Sequence, residues 1–109
     1  MKLFNLISVY PDFFESFQKH GLVKKGLHKK LININVINLR EFTDDKHRRI
    51  DFRPYGGGPG MILQYTPVKN ALDSLKMTGR VILLSPQGKP LTQKKLISLS
   101  KENNVTFIC

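Results

Sequence analysis

Four short runs of apolar and β-branched residues punctuate the chain: Leu3 to Val9 (LFNLISV), Leu31 to Leu39 (LININVINL), Arg80 to Ser85 (RVILLS) and Val105 to Cys109 (VTFIC). Helix-like segments stand between them. Strands separated in this way pair in parallel, because a parallel connection needs a crossover long enough to hold a helix. The pattern predicts an α/β domain with a mostly parallel sheet and flanking helices. RVILLS reads as the clearest central strand, and LFNLISV and VTFIC as buried ones. LININVINL alternates Leu31, Asn33 and Asn35 with Ile32, Ile34 and Val36, so one of its faces is less buried than the other. After the first run, Pro11 and Asp12 open a helix with Phe13, Phe14 and Phe17 on one face and Gly21 as its stop. Leu22 to Lys30 forms a second, short basic helix. Thr66 as N-cap and Pro67 in the first turn start a helix that carries Val68, Ala71, Leu72 and Leu75 on one face. Thr92 to Lys101 is the last helix, with Leu96, Ile97 and Leu99 apolar.

A chain of 109 residues holds one core at most. No stretch reaches the ~18 apolar residues of a membrane helix. The N-terminal run has no small-residue cleavage site and breaks at Pro11, so the expected location is cytoplasmic, with no membrane partner. The single cysteine, Cys109, forms neither an internal disulfide nor a CxxC knuckle, and no metal is expected. The chain stops inside an apolar strand, where the last carbonyls would be buried without partners. The expectation is therefore a piece of a longer protein.

Charge narrows the choice of partner. Lys and Arg number 18 against 8 Asp and Glu, a net charge of +10. Between Lys19 and Arg49 nine basic residues face three acidic ones, so that segment alone carries +6 of the total. Such a stripe suits a polyanion. Lysines outnumber arginines 13 to 5, as codon drift in an AT-rich genome would also produce, so a merely solvated lysine face is the competing account.

Residues 40 to 65 show no sustained periodicity and hold most of the unusual chemistry. Within them Arg53 to Met61 reads RPYGGGPGM, four glycines and two prolines in nine residues. Glycines permit close backbone approach and prolines stiffen the path, which suits a backbone lying against a flat ligand or a phosphate. The segment is no Walker loop, since Gly-Lys-Ser/Thr is missing, and it lacks the spacing of GxGxxG. Just upstream, Asp44, Asp45, His47, Arg48, Arg49 and Asp51 mix acids and bases; His47 fits a salt-bridged loop better than a catalytic role, and Arg48 and Arg49 suit phosphate oxygens. Leu84 to Gly88 (LSPQG) follows a strand, at the end of the sheet where open α/β folds bind ligands, and can offer backbone groups to a nucleoside. Ser85 has no GxSxG context for a hydrolase nucleophile.

ISVYPDFF, REFTDDKHRRIDFRPYGGGPGM and VILLSPQGKPLTQ, in this order, resemble the bacterial tRNA (guanine-N1)-methyltransferases of the SPOUT, trefoil-knot class, and the likeness spans essentially the whole chain. The resemblance implies homodimers that move a methyl group from S-adenosylmethionine to N1 of the guanine immediately 3′ of the tRNA anticodon. It implies that Leu84, Ser85, Pro86, Gln87 and Gly88 form the first of the loops that wrap the methyl donor. Pro59 and Gly60 would line the guanine pocket, Asp51 would be the acidic residue near the target base, and Arg48, Arg49 and Arg53 would face tRNA. Phe52 stands where the family leads one to expect Asp, which leaves Asp51 alone in that dipeptide. The chain also lacks the Gly-Arg-Tyr-Glu-Gly and glycine-rich segments that complete the knot, and the C-terminal helical domain that carries the expected general base. Residues 1–109 are thus expected to be an incomplete N-terminal donor- and tRNA-binding domain, inactive in isolation. A small basic RNA-binding module without catalysis is the rival. A ribosome-associated structural protein fits the charge but leaves RPYGGGPGM unexplained.

Overall fold

The computed structural model describes residues 1–43 and 65–109, together with the backbone of 51–52 and 62–63. Its elements in chain order are β1 (Lys2–Ser8), α1 (Phe13–Gln18), α2 (Gly21–His28), β2 (Ile32–Asn38), a 3-10 turn at Leu39–Phe42, β3 (Asp51–Phe52), β4 (Ile62–Leu63), α3 (Tyr65–Asp73), β5 (Arg80–Leu83), α4 (Gln93–Ser100) and β6 (Asn104–Ile108). Four strands form a parallel sheet in the order β2-β1-β6-β5. The expected α/β class is the observed one.

β1 is central because both of its faces are covered. On one face Ile7 and Ile108 meet Leu39 and Ala71 in the core, with Val68 and Leu72 of α3 and Leu75 just after it packed against them. On the other, Phe4, Leu6, Ile32, Ile34 and Phe107 line a groove shared with Phe17, Leu22 and Val23 of α1 and α2. α3 begins at Tyr65, so Thr66 stands inside its first turn instead of capping it. Pro67 fits that turn without loss, since its missing N–H would have had no intrahelical acceptor there.

Two expectations need correction. RVILLS is not central: β5 pairs only with β6 among the described residues and lies at the sheet's edge, with Val81 45% and Leu83 62% exposed. Apolarity reports how much burial a strand needs, whereas its place in the sheet is set by the handedness and length of the crossovers. Nor does Gly21 end the first helix: α1, six residues with none buried, ends at Gln18, and Gly21, at φ +64°, turns the chain into α2. Phe13 and Phe14 stack edge to face at 5.2 Å.

A polar ladder crosses the middle of the sheet. Asn5 of β1 lies on one rung with Asn35 of β2 and Thr106 of β6. The Asn35 amide donates to Asn5 Oδ1 at 3.2 Å, and the Asn5 amide donates to Thr106 Oγ1 at 3.1 Å and to the Met77 carbonyl at 3.0 Å. The Thr106 hydroxyl donates to the Thr78 carbonyl at 2.7 Å. Asn5 and Thr106 are buried, so their side-chain polar atoms depend on these bonds in place of water. The ladder stitches residues 77–78, the approach to β5, onto the sheet. Gly79 follows at φ +58° with its α-carbon against the backbone of Asn104.

α4 is capped locally: Thr92 Oγ1 accepts the Lys95 N–H at 3.2 Å. Thr92→Ala is expected to cost about 1 kcal/mol. A thermal melt would show this as a fall of roughly 4–8 °C in Tm.

Candidate functional site

Parallel strands deliver all their carboxyl ends to one rim, and in open α/β sheets ligands bind beyond it. Here the rim holds Ser8 to Tyr10 after β1, Asn38 to Arg40 after β2, Leu84 to Gly88 after β5, and Cys109 after β6. The Leu84 N–H donates to the Ile108 carbonyl at 3.1 Å and the Cys109 N–H to the Ile7 carbonyl at 2.9 Å, extending the ladder to the rim itself.

The Leu84–Gly88 segment is a tight turn. The Gly88 N–H donates to the Ser85 carbonyl at 3.0 Å and the Gln87 N–H to Ser85 Oγ at 3.2 Å. Proline at the second position and glycine at the fourth are the residues such a turn favours, and Gln87 keeps a negative φ, as a type I turn requires. A Cβ on Gly88 would sit 3.2 Å from the Ser85 carbonyl oxygen, so the turn is closed around a residue without a side chain. Among the described residues the Ser85 N–H and the Leu84, Pro86 and Gln87 carbonyls have no hydrogen-bond partner. Leu83, Leu84 and Leu91, at and on either side of the turn in sequence, are exposed. One free donor and several free acceptors next to an apolar surface match the edge and faces of a purine, so the residues present fit a nucleoside. All five residues expected in this turn are therefore together, exposed, and at the rim.

On the rim's other side, Arg40 Nε donates to the Val9 carbonyl at 3.3 Å, its N–H to Asn38 Oδ1 at 3.0 Å, and its guanidinium stacks 5.8 Å from the Tyr10 ring centre. Ser8 Oγ accepts the Tyr10 N–H at 3.1 Å. Sequence reading did not single out this pair, since nothing local links residues 30 positions apart. Burial pushes the Cys109 thiol pKa up, which keeps it protonated and a poor nucleophile at neutral pH.

β3 and β4 are antiparallel, with Asp51 opposite Leu63 and Phe52 opposite Ile62. The two-residue ribbon pairs the residues on either side of RPYGGGPGM, where sequence reading expected one long loop. Asp51 belongs to it by its backbone. Arg48, Arg49, Arg53, Pro59 and Gly60 lie outside the described residues. Among the described residues no group of three His, Cys, Asp or Glu side chains could hold a metal ion, and no helix is long and apolar enough to cross a membrane.

Residues 1–109 match the family described as tRNA (Guanine-1)-methyltransferase TrmD. The tRNA (guanine-N(1)-)-methyltransferase of Lactobacillus johnsonii is 46% identical over 105 residues, which cover 96% of this chain and 43% of that protein. The enzyme of the same name from Buchnera aphidicola subsp. Schizaphis graminum is 43% identical over 110 residues, covering 97% and 42%. The crystal structure of tRNA (m1G37) methyltransferase from Aquifex aeolicus superposes with a TM-score of 0.85 at 28% identity, covering 99% of this chain and 50% of that one. The chain thus spans less than half the length of these two curated relatives.

Proposed function

Because the chain belongs to the tRNA (guanine-1)-methyltransferase family, we propose that this protein methylates N1 of the guanine immediately 3′ of the anticodon in tRNA, with S-adenosylmethionine as donor and as a homodimer in the cytoplasm. The observation that carries the reading is the Leu84–Gly88 turn, closed and exposed at the carboxyl rim of a sheet like that of a family enzyme. Its free backbone groups take the adenine edge, and the adjoining leucines cover the ring. The donor supplies a methyl group on a sulfonium, ready for transfer to a nucleophile.

Guanine N1 carries a proton and attacks poorly until the proton leaves, and negative charge then gathers on O6. N1 would give its proton to a carboxylate as it takes the methyl, the bond broken being that between the methyl and the donor's sulfur. Asp51 is the acidic candidate of this chain near the base, beside the pocket assigned to Pro59 and Gly60, with Arg48, Arg49 and Arg53 holding the tRNA. Residues 1–109 act as the N-terminal part of the donor- and tRNA-binding domain. The rest of the pocket and the principal base belong to the further length that the relatives have.

The test uses the product of the complete reading frame. S-adenosylmethionine at about 100 times its Kd is expected to stabilise it by about 2.7 kcal/mol, and to yield 1-methylguanine in tRNA. In Gly88→Val the added side chain forces the Ser85–Gly88 turn open, and donor affinity is expected to fall at least about tenfold as the prepaid geometry of the site is lost. A protein that binds tRNA but neither warms its melt with the donor nor methylates would be the non-catalytic module instead.

A further inference from the structure

From Ser16 to Arg40 the chain contains no Asp or Glu. The structure gathers much of the resulting charge on one helix. Lys24, Lys25, His28 and Lys29 are spaced i, i+1, i+4 and i+5 along α2, and all are exposed. At 100° per residue the four span one continuous arc, while Val23, Gly26 and Leu27 occupy the opposite, partly buried side. Lys19 and Lys30 extend the charge beyond the two ends of the helix. None of these lysines forms an ion pair with a described carboxylate. The acids nearest in sequence, Asp12, Glu15 and Glu41, line a separate groove along β2. Like charges one turn apart oppose helix formation, so this face is held together in spite of its own repulsion.

We infer that the basic face of α2 is a second RNA contact, binding the phosphate backbone of the tRNA away from the donor site at the rim. The inference rests on the tRNA-methyltransferase reading for the identity of the polyanion. α2 packs on β2 and shares with Phe4, Leu6 and Phe107 a groove on one face of the sheet, whereas the Leu84–Gly88 turn stands at the carboxyl rim after β5. The basic arc lies on the other side of α2 from that groove, a surface separate from the turn assigned to the methyl donor. Ammonium groups on flexible stems, with no fork geometry, suit phosphate charge and carry no base readout. The surface adds affinity and orientation and plays no part in choosing the base.

The test is Lys24→Gln/Lys25→Gln/Lys29→Gln in the product of the complete reading frame, since glutamine keeps helix propensity and removes the charge. Binding of tRNA is followed by filter retention from about 50 to 300 mM salt, where each lost phosphate contact removes about 0.9 from the slope of log K against log salt. The expected result is a slope smaller by 2 to 3, on the order of the three charges removed, and an affinity at least tenfold weaker at the lowest salt. The matching triple arginine variant keeps the slope and confirms that charge is what acts. An unchanged slope in the glutamine variant overturns the inference. So does a loss confined to binding of phosphatidylglycerol vesicles, which would assign the face to a membrane surface. Failure of the underlying reading looks different: the unsubstituted protein would then yield no 1-methylguanine, whatever the slopes.

Discussion

Gly79→Ala is expected to keep the chain from reaching its native fold. Gly79 has φ +58°, a conformation that costs a residue with a side chain about 1–2 kcal/mol. The larger cost is steric. A Cβ there would lie 2.0 Å from the carbonyl oxygen and 2.5 Å from the carbonyl carbon of Asn104, and both are backbone atoms of the first residue of β6. A flexible side chain could swing aside, but a strand held on both sides cannot. The combined penalty is expected to exceed about 4 kcal/mol, a large part of the 5–15 kcal/mol that holds a typical domain together. Urea titration of the soluble fraction reads it, and a midpoint within about 1 kcal/mol of the unsubstituted protein would show that β5 and β6 can separate at no great cost. Because β5 leads straight into the Leu84–Gly88 turn, any folded remainder should also lose its donor-induced thermal shift.

Asn5→Ala acts on the same junction from inside. The substitution deletes both bonds donated by the Asn5 amide and the one its oxygen accepts, leaving the Met77 carbonyl without a described partner. Thr106 keeps its bond to Thr78, so the connection is loosened without being cut. Asn35 and Met77 are exposed and can turn to water, so the loss comes from three bonds at roughly 0.5–1.5 kcal/mol each and a small cavity, about 3 kcal/mol in all. In a domain of this size that corresponds to a Tm lower by on the order of 15 °C. A drop of only a degree or two would mean that water reaches the ladder and replaces the amide.

Legibility in the sequence followed the range of the interactions. The Leu84–Gly88 turn could be read directly, because Pro86 and Gly88 act within four residues. The helix expected over Thr92 to Lys101 is present as α4, because its apolar spacing is equally local. The alternation of LININVINL also held, with Asn33 and Asn35 more exposed than Ile32 and Ile34. What escaped was set by distant partners. β3 and β4 are two residues each, too short to show a period. The ladder joins positions 30 and 101 residues apart, and an asparagine at position 5 in a strand gives no hint of being buried. The edge position of β5 depends on which strands its neighbours already hold, a property of the whole sheet that four apolar residues do not carry.

The seat of β1 between β2 and β6 also governs when folding can finish. Its first partner, β2, follows closely, but β6 is synthesised about 100 residues after β1. At roughly 5–20 residues per second the ribosome needs on the order of 5–20 s to cover that interval. Throughout it, one edge of this strand remains open to stray pairing with other nascent chains. Lys2, Asn5 and Ser8, the polar residues of β1, lower its appetite for such company during the wait. The residue pair that closes the core, Ile7 with Ile108, is thus also the signal that the vulnerable period has ended.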